Sequence, residues 1–161
     1  MVRNLTFLFL IMFIGCEMNS KQVIKPEKFI FEEVSFDSVT KRIVFKDFKD
    51  DPDINDMKKI INYWFDNKIK TNGFDGALEV KVNNIDIHKL KSSDYFKVSI
   101  ELAFEFIEIK ENSKSKKTYN VEASEYGEIE GSFSINDQEN LTLNLMHQAL
   151  NGVSKKLSDL N

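Results

Sequence analysis

Between Phe96 and Phe106 every second residue is apolar: Phe96, Val98, Ile100, Leu102, Phe104 and Phe106, with Lys97, Ser99, Glu101 and Glu105 set between them. A two-residue period over this length fits an extended strand with one face in a core and the other in water, and no helix can segregate it. Sheets wetted on one side are mostly antiparallel. The strand therefore demands antiparallel neighbours and an apolar layer to cover its buried face.

Both are present in the flanking sequence. Leu78, Val80 and Val82 alternate in the same way, and after Asn83-Asn84 the phase shifts to Ile85 and Ile87, the one-residue slip that a β-bulge produces. Lys110 to Lys117 has the composition of a hairpin loop, and a further strand follows from Thr118 through Tyr119, Val121 and Ala123. Phe29, Phe31 and Val34 to Phe36 predict a first strand, and Arg42 to Phe48 a second that ends at the acidic turn Asp50-Asp51-Pro52.

Two segments have helical spacing instead. Pro52 suits a first helical position, Asp51 can cap it, and Asp53 and Asp56 favour the positive end of the helix dipole. Ile54, Met57, Ile61, Trp64 or Phe65, and Ile69 share one face, and Gly73 predicts a stop after Asn72. Near the C-terminus, Asn136 with Glu139 suggests a capping box. Leu143, Met146, Leu150, Val153, Leu157 and Leu160 then form a seam. The expected fold is an α+β two-layer sandwich, a four- to five-stranded antiparallel sheet with two amphipathic helices on one face.

The first sixteen residues follow another logic. Arg3 precedes an apolar run from Leu5 to Ile14, and Gly15-Cys16 closes it. The run is about half the length of a membrane-crossing helix. The segment resembles a bacterial lipoprotein signal peptide, with Phe13 and Ile14 standing where Leu and a small residue are more usual. That resemblance implies cleavage before Cys16 and acylation of the Cys16 thiol and its new amino group. Cys16 is the one cysteine of the 161 residues, so it has no internal disulfide partner. An ordinary secretory peptide with an accidental cysteine is the plainer alternative. The division that follows is a signal peptide over 1–15, the lipidated cysteine and a tether over 16–27, and one domain over 28–161. Glu17 is not the aspartate that retains many enteric lipoproteins in the inner membrane. By that analogy the expected location is the periplasmic face of the outer membrane.

The formal charge is −4, with 22 basic and 26 acidic residues, and loss of Arg3 with the pre-sequence makes it one unit more negative. No basic stripe is visible, so nucleic acid is not an expected partner. The chain contains no Gly-x-Ser-x-Gly elbow, no metal-spaced histidine pair and no phosphate-binding glycine loop. His88 and His147 are lone histidines, each expected to be solvated or packed. Asp47, Asp50, Asp51, Asp53 and Asp56 are dense enough to suggest Ca²⁺, but the turn glycine and distal glutamate of an EF-hand are missing and helix capping accounts for them. Glu122, Glu125, Glu128 and Glu130 around Tyr126 and Gly127 suit a solvated sheet edge that resists aggregation. The chain is expected not to be an enzyme and to need no cofactor or metal.

The stretch Trp64 to Gly76 followed by Val80, Val82, Ile85 and Ile87, with an acidic opening at Glu139 to a methionine- and leucine-containing helix, resembles a group of small exported lipoproteins of alphaproteobacteria. Trp64, Gly73 and Gly76 carry the likeness most specifically, over residues 60–160. The element order of lipidated cysteine, strand, helix, three strands and closing helix is also similar to that of the LPS-assembly lipoproteins, which plug an outer-membrane β-barrel. These resemblances imply an accessory or assembly factor for an envelope complex, bound to the membrane through lipid on Cys16 and to an envelope protein partner. The alternative is a carrier or sensor of a lipid or other amphiphile, its cavity lined by some of the 14 phenylalanines. A hydrolase with an unrecognised site is a third reading.

Overall fold

The computed structural model describes residues 29–160. The expectations for the signal peptide, Cys16 and the tether lie outside the described residues. The elements in chain order are β1 (Val34–Phe36), β2 (Thr40–Phe45), α1 (Pro52–Lys68), β3 (Ile69–Thr71), β4 (Ala77–Lys91), β5 (Tyr95–Lys110), β6 (Ser115–Glu130) and α2 (Ile135–Leu160). They form an α+β sandwich in which both helices cover one face of a four-stranded sheet ordered β2-β4-β5-β6. β1 and β3 make a separate two-stranded pair.

The expected alternation appears residue for residue on β5, where Phe96, Val98, Ile100, Leu102, Phe104 and Phe106 are all buried. Opposite them, Leu78, Val80 and Val82 of β4 point into the same core, and the register slips between Val82 and Asn84 so that Ile85 regains that face. Above the sheet, the Trp64 ring of α1 meets Phe104 edge-on at 5.8 Å and Phe106 at 6.4 Å. Its indole N–H donates to Ser154 Oγ of α2 at 2.8 Å, and Ser154 is itself fully buried. The one polar atom of the tryptophan is thus satisfied by the second helix, as burial of an indole requires.

The sheet is mixed rather than wholly antiparallel. β2 runs parallel to β4, with Ile43 opposite Val80 and Phe45 opposite Val82, and β1 runs parallel to β3. The cause is α1, which carries the chain back along the sheet before β4 begins, so the strands on either side of it point the same way. Side-chain alternation specifies which face a residue occupies and carries no information on strand direction.

Helix α1 ends at Lys68, short of the Asn72 expected from periodicity. Ile69 is buried as expected, but as the first residue of β3. The stop comes from outside the helix: the Lys41 ammonium on β2 donates to the carbonyls of Phe65 at 2.6 Å, Asp66 at 3.0 Å and Ile69 at 2.6 Å. A cation gathered on the orphan carbonyls of a last turn complements the helix dipole. It also sits 4.7 Å from the Phe65 ring centroid. Desolvation lowers the Lys41 pKa from its usual value, with Asp66 opposing the shift. Replacing Lys41 with Met keeps the stem and removes the charge, and about 2 kcal/mol of stability is expected to go with it. Urea denaturation of the variant measures this, and a change below about 0.5 kcal/mol would show that the three contacts are not stabilising.

Two boundaries shift for local reasons. The β5–β6 turn is confined to residues 111–114, so Lys116 and Lys117 belong to β6 rather than to a loop. The start of α2 is capped by Ser134 and Asp137 instead of Asn136 and Glu139: Ser134 N donates to Asp137 Oδ2 at 2.8 Å, and Asp137 N donates back to Ser134 Oγ at 3.2 Å. Backbone and side-chain bonds from Ser134 hold the Asp137 carboxyl below its usual pKa. β6 runs unbroken through Tyr126 and Gly127 to Glu130.

Candidate functional site

The first described residues lie against α2. Phe29 stacks on the His147 ring with centroids 4.9 Å apart, and Phe31 meets the same ring edge-on at 5.0 Å. The carbonyl of Ile30, between them, faces His147 Nε2 at 3.0 Å and accepts from Asn151 Nδ2 at 3.5 Å. His147 and Asn151 are one turn apart, and both aim at a single carbonyl. His147 is therefore a packed histidine, as expected, and it fastens the segment through which the chain enters the domain. Asn151 is the partner that sequence reasoning missed. Its spacing from His147 was visible, but the carbonyl they share lies 117 residues from His147.

His88 sits near the end of β4, exposed, with Asp86 Oδ2 3.0 Å from its Nε2. The aspartates before and within α1 are dispersed among separate partners. Asp51 accepts from the backbone N–H of Asp53 and of Ile54, Asp50 accepts from Asn55 Nδ2, Asp56 pairs with Lys59, and Asp53 pairs with Lys89 at 2.6 Å. Among the described residues no group of three or more His, Cys, Asp or Glu side chains is placed to hold a metal ion.

The sheet face away from the helices is a ladder of ion pairs. Arg42 of β2 pairs with Glu79 of β4, and Lys81 lies 3.6 Å from Glu79 and 3.2 Å from Glu105 of β5. Farther along, Glu128 of β6 accepts from the Tyr126 hydroxyl at 2.5 Å and pairs with Lys97 at 3.0 Å. The Tyr126 hydrogen bond, and then Lys97, hold the Glu128 carboxyl below its usual pKa, while the bond to Glu128 raises the pKa of Tyr126 and of Lys97. Tyr126 and Glu128 are exposed and Lys97 is half-buried, so solvent screens these contacts and they contribute little to stability.

β6 is the outer strand on one side of the sheet, sixteen residues long. Glu122, Glu128 and Glu130 are exposed along it, as expected for a charged edge. Glu125 departs from that group: it is half-buried on the helix side, at a surface hollow shared with Phe31, His147, Asn151 and Lys155. Lys156 of α2 reaches over the strand and donates to the Glu122 carbonyl at 2.5 Å. A lysine laid on an unpaired backbone carbonyl is a guard against unwanted strand addition. Sequence reasoning missed it, because nothing in the chain marks which helical lysine will overhang the edge.

The hollows along β6 open at the surface. One of about 460 Å³ is bounded by Asn84, Glu101, Ala103, Glu122, Ser124 and Lys156, and one of about 420 Å³ by Asn120, Val121, Asp159 and Leu160. The phenylalanines between the layers are packed against each other: Phe36 stacks on Phe106 at 5.9 Å, and Phe106 on Phe104 at 5.9 Å. They serve as core.

No protein-family model matches the chain, and no curated protein is similar to it. Several solved structures are similar in outline. A minor lipoprotein from Acinetobacter baumannii aligns over 74% of this chain and 87% of its own, with 10% identity and a TM-score of 0.41. Rare lipoprotein B from Shewanella oneidensis aligns over 76% and 93%, with 8% identity and a TM-score of 0.40. PelC from Paraburkholderia phytofirmans, a dodecamer, aligns over 76% and 92%, with 13% identity and a TM-score of 0.35.

Proposed function

We propose that this chain is a lipid-anchored, non-enzymatic envelope protein, held at the periplasmic face of the outer membrane through Cys16 and acting as an accessory or assembly factor for an envelope complex. The single observation that carries the reading is the lone Cys16 directly after Gly15 at the end of a short apolar run. Two or three acyl chains at about 0.8 kcal/mol per buried methylene make an anchor that does not readily dissociate. The domain's own features fit a binding role: a wet, ion-paired sheet face and a long guarded edge at β6. Because the aromatic side chains between sheet and helices fill the core, the carrier reading gains no support from them.

Cys16→Ser is the decisive variant. It is expected to leave a folded protein that a high-salt wash releases from the membranes into the soluble fraction, while the wild-type chain still sediments with outer membranes after the same wash. Salt-resistant membrane association unchanged by Cys16→Ser would overturn the anchor. Purification of the tagged, lipidated protein from gently solubilised membranes then tests the partner half of the proposal: a stoichiometric envelope protein is the expected companion, whereas extracted lipid with no protein would move the case to a carrier.

A further inference from the structure

The two ends of the sheet differ in chemistry. At one end the β3–β4 loop and the β5–β6 hairpin meet: Asn112 N donates to Asp75 Oδ2 at 3.0 Å, and Lys110 Nζ lies 3.4 Å from the Asp75 carbonyl. Phe74, between them in the loop, is 100% exposed, and Val39 and Ile109 beside it are 51% and 43% exposed. Val39 N donates to the Gly76 carbonyl at 3.1 Å, which ties all three apolar side chains to one tip. Lys114, Lys116 and Lys117 surround this tip and are exposed, and none makes an ion pair among the described residues. The acids there are Glu111 in the same turn, Asp37, which pairs with Lys110 at 2.7 Å, Asp75, which accepts from the hairpin backbone, and buried Glu108, bonded to Ser38.

At the opposite end lie the acidic starts of both helices, with Asp50, Asp51 and Asp53 at α1 and Asp137 and Glu139 at α2, next to Glu130. Ile135 and Leu90 at that end, 59% and 58% exposed, exceed Val39 and Ile109 in exposure, but Ile135 stands among acids and neither is an aromatic ring. A protein of net charge −4 thus sets its most exposed aromatic ring at one extremity together with three exposed lysines, Lys114, Lys116 and Lys117. Strands β5 and β6, at ~3.3 Å per residue roughly 50 Å long, outrun α2, at ~1.5 Å per residue about 39 Å long, so the β5–β6 hairpin extends past the end of α2.

We infer that this tip seats the domain on an anionic lipid surface, with the Phe74 ring entering the headgroup boundary and Lys114, Lys116 and Lys117 meeting lipid phosphates. An exposed aromatic ring framed by lysines is the chemistry of an interfacial anchor, since the ring gains by leaving water while each lysine near an anionic surface adds attraction worth about a fivefold change in binding. The chain geometry allows it. Residues 16 to 29 span up to about 43 Å when extended, whereas Val39 of the tip is at most about 33 Å of chain beyond Phe29, so an anchor at Cys16 and a seated Phe74 fit on one leaflet. The setting rests on the lipid-anchor reading, and the test does not.

The test uses the chain from residue 17, which has no acylation site and retains every residue of the core cluster. Its probes are vesicles of phosphatidylglycerol with phosphatidylcholine, and vesicles of phosphatidylcholine alone. Co-sedimentation with the anionic vesicles is expected and should fall with added salt. Phe74→Ser is expected to weaken it about tenfold. Neutralising the three lysines together, Lys114→Gln, Lys116→Gln and Lys117→Gln, is expected to weaken it at least tenfold. Ile135→Ser should leave it within about twofold, and thermal melts of all variants report folding. The inference is overturned by a wild-type chain that ignores anionic vesicles, by equal binding to neutral ones, or by Ile135→Ser weakening binding as much as Phe74→Ser does. Failure to bind vesicles, together with loss of sedimentation in Cys16→Ser, would leave the lipid anchor in place and remove only the seat.

Discussion

Trp64→Ala is expected to lower the unfolding free energy by about 3–5 kcal/mol, a large part of the stability of a domain this size. The ring is fully buried, braced by Phe104 and Phe106 from β5 and tied to α2 through Ser154. Its removal therefore opens a cavity where sheet and both helices meet. The contributions separate by substitution. Trp64→Phe keeps most of the volume and loses the N–H, and should cost about 1–2 kcal/mol. Ser154→Ala leaves the indole N–H buried without a partner and should cost about as much. Because Ser154 also donates to the Leu150 carbonyl at 3.2 Å, the double variant isolates the bond between the helices. Equilibrium urea curves give all these values. A wild-type midpoint for Trp64→Ala would mean that the ring is not core.

The second large effect is expected at Gly76. Its φ of +85° belongs to the region that L side chains avoid, and a Cβ there would lie 2.0 Å from the Ile109 carbonyl oxygen. Backbone strain and the overlap add, so Gly76→Ala should cost about 3 kcal/mol or more and splay β4 from β5 at the end of the sheet. Two other glycines serve as controls. Gly131 shares the positive φ, at +80°, but has nothing within 4 Å of its Cβ position, so its alanine variant should cost only about 1 kcal/mol. Gly152 lies within α2 with Ala123 Cβ at 3.5 Å, an ordinary contact, and Gly152→Ala should stabilise by about 0.5–1 kcal/mol. Melting temperatures that failed to rank Gly152→Ala above Gly131→Ala, and that above Gly76→Ala, would refute this reading of the three backbones.

Gly73 and Gly76 also show what the sequence could and could not disclose. They stand out in the chain as the end of a helix-turn-strand segment, and the natural reading of Gly73 is a helix stop. In the structure its role is close approach: a Cβ would lie 2.5 Å from the Asp37 backbone carbon, so the glycine lets the β3–β4 loop pass the β1–β2 turn. The helix has already ended because of Lys41, a residue 24 positions before the first carbonyl it holds. Periodicity reports faces, and it reported them well, down to the slip at Asn83-Asn84. It is silent on strand direction and on long-range polar contacts, and the parallel placement of β2, the end of α1 and the bond between Trp64 and Ser154 all depend on these. The site fared similarly. His147 was legible as packed and the β6 glutamates as an edge, whereas Asn151, Lys156 and the exposed tip around Phe74 depend on which segments the fold brings together.

The parallel seam between β2 and β4 also sets an order in time. β4, β5 and β6 are joined by turns of three and four residues, so each pairing closes a short loop at small entropic cost. β2 must wait for about thirty intervening residues, α1 among them, before its partner strand exists. Pairings of that separation form late, after local ones have built the surface they dock on. The N-terminal part of the domain is accordingly the last to be fastened. Phe29 and Phe31 take their places against His147 of α2 only after the C-terminal meander has supplied the surface that receives them.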